Sequence, residues 1–218
     1  GKRKTVIVCT DKEQVLYQHV EHKGHDGLSH TPVKNFEGTV IHDHDKSYYS
    51  YGSSHQECLA HVLRYLVGAT ESEPHLKWHK QMHKLLQKTI HTAKKNKSGV
   101  PKEKVKTLTD KYVSILDTAS EEYEKHPPTK DYMDDYNLYK RLRDYQDNHL
   151  YFLSHPEIDY TNNISERQLR KFKRKQKQAV VLRSDTGGQH ICDALTIIET
   201  AKMQNRNVYD TVEAAFAK

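Results

Sequence analysis

Between Glu73 and Pro156 the chain carries three successive amphipathic helical stripes, and this constrains the fold more than any other feature. Leu76, His79, Met82, Leu86 and Ile90 form the first, which ends in Lys94-Lys-Asn-Lys-Ser-Gly99. Val105, Leu108, Tyr112, Ile115, Leu116 and Ala119 form the second, which stops before Pro127-Pro128. Tyr136, Leu138, Tyr139, Leu142 and Tyr145 mark the third. Apolar residues every three to four positions lie on one face of a helix. Each such face needs a partner, so three in a row predict an all-α segment packed on itself and on a neighbouring sheet.

The flanking sequence has a different character. Thr5–Thr10 and Gln14–Val20 are β-branched runs joined by Asp11-Lys12-Glu13, the pattern of an antiparallel hairpin. His25–Phe36 predicts a loop with a short helix, and Thr39–His42 a strand apolar enough to be central. Lys46–Ser54 predicts a short helix breaking at Gly52. Gln56–Val67 has helical spacing, though its first residues also suit a strand. After His155-Pro156 a helix is expected over Asn162–Lys175, opened by Asn162 or Asn163. Ala179–Leu182 reads as a short strand or extended segment and Thr186-Gly187-Gly188 as a turn. Helices are expected over Gln189–Gln204 and Tyr209–Ala217. The expected fold class is α/β, with a core over 1–69 and 157–218 and a helical insertion over 70–156.

Only 35% of the 218 residues are hydrophobic, and the mean hydropathy is −0.93, so much of the surface must be charged. No run approaches the roughly 20 apolar residues of a membrane span, and Thr5–Thr10 is too short for a signal peptide's apolar region. A soluble, cytoplasmic protein with no membrane partner is expected. Three widely spaced cysteines, Cys9, Cys58 and Cys192, do not make a disulfide framework. The formal charge of +6 weakly favours a polyanionic partner. Its distribution says more: Arg167, Arg170, Lys171, Lys173, Arg174, Lys175 and Lys177 follow one another directly after Glu166.

Two acids stand out. Asp43 closes the apolar run from Gly38, and Glu166 lies near the start of the later helix. Phosphoryl transfer to water or to a 3′-hydroxyl can use two divalent ions, and magnesium requires hard oxygen ligands. A strand-end Asp and a helix-start Glu can converge at one edge of an α/β sheet. Asp43 and Glu166 are therefore candidate catalytic residues and ligands for Mg2+ or Mn2+. Each also has a plainer reading. Asp43 and Asp45 suit a strand emerging into solvent, and Glu166 suits a helix first turn or an ion pair with Arg170. Arg167, Arg170, Lys171 and Arg174 recur at three- and four-residue spacing, with Lys173, Lys175 and Lys177 on other faces. All seven are candidate DNA contacts, since phosphate contacts position a strand without reading it. A solvated basic helix is the alternative.

Other clusters are weaker. Cys58 and His61 could begin a zinc site, but zinc takes four ligands and no second cysteine pair exists, so packing is preferred. His75, His79 and His83 are expected on one helical face as interface histidines rather than a metal site. His42 and His44 flank Asp43, and either could contact a phosphate or a metal-bound water.

Read in order, the chain carries Gly38-Thr-Val-Ile-His-Asp43 with Tyr48, Cys58-Leu-Ala-His61-Val-Leu-Arg64 and Asn162-Asn163-Ile-Ser-Glu166-Arg167-Gln-Leu-Arg170. Ser184-Asp185-Thr-Gly-Gly188 and Leu195-Thr-Ile-Ile-Glu199-Thr200-Ala-Lys202 follow. Over almost its full length this resembles the transposases of the IS66 family of bacterial insertion sequences. The resemblance implies an RNase H-like mixed-sheet core with an all-α insertion. It also implies DNA strand cleavage and transfer by a DDE mechanism with Mg2+ or Mn2+. Asp43 would be the second acid and Glu166 the third. The family's first Asp lies on a strand ahead of a segment like Gly1-Lys-Arg-Lys, so it is expected outside this chain. Asp11, in a hairpin turn, is an imperfect substitute. Thr161 stands where many relatives carry an Asp, with Asp159 nearby. The implied partners are DNA, at the element ends and target, and further copies of the chain; the implied location is the bacterial nucleoid. A truncated remnant that binds DNA or full-length enzyme without catalysis is the competing expectation, and a zinc-dependent structural module ranks below both.

Overall fold

The computed structural model describes residues 5–178 and 185–217. They form a mixed α/β protein with two small two-stranded sheets, divided into two compact units. One comprises Gly1–Gly38, Asp45–Ser53 and Asn162–Lys218, the other Thr39–His44 and Ser54–Thr161.

The first unit is built on the hairpin. Strands β1 (Thr5–Thr10) and β2 (Val15–Val20) pair antiparallel, with Thr5 opposite Val20 and Thr10 opposite Val15. Asp11 makes the turn: its Oδ1 accepts from the N–H groups of Glu13 (2.7 Å) and Gln14 (2.8 Å). Because side chains alternate along a strand, the hairpin has two apolar faces. Ile7 and Val20 pack with Leu28, from the short helix α1 (His25–Ser29). Val15 and Tyr17 face Phe172, Cys192 and Leu195. These three come from α7 (Asn163–Gln178) and α8 (Asp185–Met203), which precede the final helix α9 (Val208–Phe216). Helix α8 also lines the outer edge of β2. Thr200 Oγ1 accepts from Val15 N–H (3.1 Å), Thr196 Oγ1 from Tyr17 N–H (3.0 Å) and Gln189 Oε1 from His19 N–H (3.3 Å).

The turn expected at Thr186–Gly188 is instead the first turn of α8. A side chain on Gly188 would start 2.9 Å from the His19 ring. The glycine is thus explained by close approach of helix and strand, and not by chain reversal. The segment expected to be extended, Ala179–Leu182, lies outside the described residues.

The second unit holds β3 (Thr39–His42) and β4 (Ser54–Glu57), which pair parallel with His42 opposite Glu57. Of the two readings open for Gln56–Val67, a strand running into a helix is the one observed: β4 gives way to α2 (Leu59–Ser72). Beyond it come α3 (Trp78–Lys95), α4 (Lys102–Lys125), α5 (Met133–Asp144) and α6 (Gln146–Leu150). The stripes read from the sequence meet in one core, where Leu76, Met82, Leu86, Leu108, Tyr112, Leu116 and Leu142 are buried. Each such leucine contributes about 1.5–3 kcal/mol by leaving water.

The three histidines expected on one helical face do not share one. His75 precedes α3 and sits edge-on to His126, with ring centroids 5.0 Å apart. Helix α3 begins only at Trp78 because Glu122, from α4, supplies the cap: its carboxylate accepts from the N–H groups of Lys77 (3.0 Å) and Trp78 (3.2 Å). His79 is fully buried, its ring centroid 4.1 Å from that of Trp78. Burial, with a smaller contribution from His75, lowers its pKa to about 4. A histidine whose folded pKa is depressed binds its proton first in the unfolded chain, so stability falls as pH drops from about 6.5 towards 4. The shift corresponds to about 3 kcal/mol. Urea unfolding of the wild type and of His79→Leu at pH 7.5 and pH 4 should show the wild type losing about that much more. Parallel losses would refute the assignment.

Candidate metal centre and nucleic-acid face

Asp43 is exposed and follows His42, the last residue of β3. The parallel pairing continues to that point, since Cys58 N–H donates to His42 O (2.8 Å). Strand geometry turns successive side chains to opposite sides, so a buried His42 leaves Asp43 facing out. The His42 ring meets His55 edge-on at 5.3 Å. Burial lowers its pKa, offset in part by the Asp43 carbonyl and Glu57. Of the two histidines considered for phosphate contact, His42 is therefore a packed core residue. His44 is partly exposed, and its Nδ1 lies 2.9 Å from Glu57 Oε1.

Glu166 lies in the first turn of α7, in the other unit, with its N–H donating to Asn162 O (3.1 Å). Its side chain is 23% exposed, and Arg170 Nη2 approaches Oε2 at 3.5 Å. Negative charge at a helix start is favoured by the helix dipole. The i,i+4 ion pair foreseen with Arg170 is present.

Other acids are engaged in local turns. Asp11 makes the hairpin turn, and although burial pushes its pKa up, hydrogen bonds from Glu13 and Gln14 bring it below the ordinary value. Asp45 accepts from Ser47 N–H (3.0 Å) and hydroxyl at the start of a 3-10 helix over Lys46–Ser50, which replaces the longer helix expected to Ser54. Asp159 accepts from Thr161 N–H (2.9 Å).

Along α7, Gln168 and Phe172 are buried, whereas Arg167, Arg170, Lys173, Arg174, Lys175 and Lys177 are exposed. Tyr17, from β2, fixes the inner face by donating its hydroxyl to Gln168 Oε1 (2.8 Å). Lys171 differs from its neighbours. Its ammonium pairs with the buried carboxylate of Glu199, which also receives Lys202 Nζ at 2.9 Å. Burial alone would raise the Glu199 pKa, but the two lysines lower it. Lys171 therefore ties α7 to α8, while six exposed cations remain on the solvent side.

Cys58 is buried as the residue preceding α2, and His61 falls in the first turn. Sequence reasoning missed Glu57. Fully buried at the end of β4, it binds Arg141 through Nε (2.8 Å) and Nη2 (2.5 Å), and His149 through Nε2 (3.1 Å).

The family model described as "Transposase IS66 family" matches residues 3–190. The chain belongs to the IS66 transposase family. A search of curated proteins and one of solved structures gave no match. Membership makes DNA the substrate of this transposase. No helix among its described residues is long and apolar enough to cross a membrane.

Proposed function

We propose that this transposase cleaves and joins DNA strands by a DDE-type mechanism on an RNase H-like core, with Asp43 and Glu166 as ligands for Mg2+ or Mn2+. One observation carries the reading. An acid ends a strand of a parallel pair, and another acid opens a helix whose solvent face is a run of arginines and lysines. Both acids offer the hard oxygens that magnesium selects. A divalent ion held there would activate the attacking oxygen and stabilise the leaving one. Cleavage adds water to a phosphodiester and releases a 3′-hydroxyl; transfer forms a new bond from that hydroxyl to a target phosphate and expels a target 3′-hydroxyl. Arg167, Arg170, Lys173, Arg174, Lys175 and Lys177 hold the strand by its phosphates, with Lys171 fixing the helix that presents them. The first acid of such a trio is not assigned to any described residue. Assembly of several copies on two element ends, at the nucleoid, belongs to the same proposal.

The full-length transposase, given a plasmid bearing its element's ends, should cut in Mg2+ or Mn2+ and stop in EDTA. Cutting that persists in EDTA overturns the reading. The basic face has its own test. Each phosphate contact removed should flatten the slope of log affinity against log salt by about 0.9. Replacing Arg167, Arg170, Lys173 and Arg174 with Gln should therefore reduce the slope by roughly 3 to 4, measured by fluorescence anisotropy. An unchanged slope would remove α7 from the DNA interface.

A further inference from the structure

The carboxylate of Glu57 is gripped on both oxygens within the second unit. Oε2 accepts from Arg141 and His149, as above, and Oε1 lies 2.9 Å from His44 Nδ1. Arg141 belongs to α5 and His149 to α6, both buried. Tyr112, from α4, donates its hydroxyl to Leu142 O (3.0 Å) and approaches His149 Nδ1 at 3.3 Å. Tyr145 meets the His44 ring edge-on at 5.5 Å. Two helices, α5 and α6, are thus joined through one carboxylate to the residue next to Asp43.

We infer that Glu57 and His44 are positioning residues: Glu57, anchored by Arg141 and His149, holds His44 and so fixes the backbone that presents Asp43. This rests on the reading of Asp43 as a metal ligand. The pairing register explains the reach, since Glu57 lies opposite His42 and its side chain can meet a residue just beyond the strand end. An ionised carboxylate only accepts hydrogen bonds, so His44 Nδ1 carries the proton, and the ring orientation is set from the protein side. A ligand at a strand end must keep its place to within about 0.5 Å to coordinate well. Losing an outer partner of this kind typically weakens metal binding about 10- to 100-fold. Arg141 and His149 occupy the far oxygen, so Glu57 serves as a strut and is not itself available as a ligand.

The test is a Mn2+ titration of the whole chain followed by water-proton relaxation, with Asp43→Asn as reference. Asn places a donor where His Nδ1 stands, whereas Ala has none and Gln carries it too far out. His44→Ala and His44→Gln should raise the Kd of the Asp43-dependent site about 10-fold, and His44→Asn should stay within about twofold of wild type. His44→Ala and His44→Gln should also lower the unfolding midpoint, because they take a donor from buried Glu57, so the titrations are made on chains shown by circular dichroism to be folded. Wild-type Mn2+ affinity in His44→Ala overturns the inference, as does His44→Asn behaving like His44→Ala. If Asp43→Asn itself leaves Mn2+ binding unchanged, the ligand reading falls first and the inference with it.

Discussion

Asp43→Asn and Glu166→Gln should each lower metal-dependent DNA cleavage by about 10³-fold, because a lost ligand removes several kcal/mol of transition-state stabilisation. Asn and Gln keep the shape of the side chain and lose its charge, so the effect isolates ion binding from packing. DNA affinity should change little, within about threefold at fixed salt, since phosphate contacts carry it. The sign of that small change differs between the two sites. Glu166 pairs with Arg170 at 3.5 Å, so Glu166→Gln releases a cation towards the phosphates and should tighten binding slightly. Single-turnover cleavage in Mg2+ and Mn2+, beside binding at matched salt, separates the terms. Variants that cut at wild-type rates would end the two-acid assignment. A wild type that binds but cuts in neither metal would leave a DNA-binding remnant as the better description.

Arg141→Met should destabilise the protein by about 3–5 kcal/mol, the usual result of stranding one charge of a buried pair. Glu57 has no access to water. Burial on its own would raise its pKa, but His149, His44 and Arg141 together hold it far below the carboxylate range. An acid with a depressed folded pKa adds stability above its unfolded value near 4.3, and loses it as pH falls towards the folded pKa. Without Arg141 the balance shifts towards burial, the folded pKa climbs, and the penalty eases on acidification. The gap between Arg141→Met and wild type should therefore narrow as pH falls from 7.5 to 3, through the unfolded value near 4.3, in guanidinium unfolding. Glu57→Gln with Arg141→Met should recover much of the loss, as expected for residues in one network. An additive double variant would show that the two groups act separately.

Local chemistry made much of this architecture legible. The β-branched runs and Asp11 specify the hairpin without help from the rest of the chain. The stripes through Leu86, Tyr112 and Leu142 locate the helical core because burial imposes their period. Legibility fails where a partner lies far along the chain. Glu57 reads as one more acid until Arg141 and His149, 84 and 92 residues away, close around it. The start of α3 was hidden for the same reason, since its cap is Glu122 on another helix. Gly187 and Gly188 carry the composition of a turn, yet both lie in the first turn of α8, where Gly188 leaves room for the His19 ring. Asp43 and Glu166 occupy the strand end and the helix start that the sequence indicated for them. Lys171 matched its cationic neighbours in sequence, but Glu199 gives it a different task.

The row of Gln189, Thr196 and Thr200 along β2 has a consequence beyond holding a helix in place. A strand whose outward amides lie bare invites another chain to zip onto it, the usual route to clumping. Here those amides are already spoken for by hydroxyl and carboxamide oxygens. Growth of the β-structure past that margin of β2 is closed to intruding molecules.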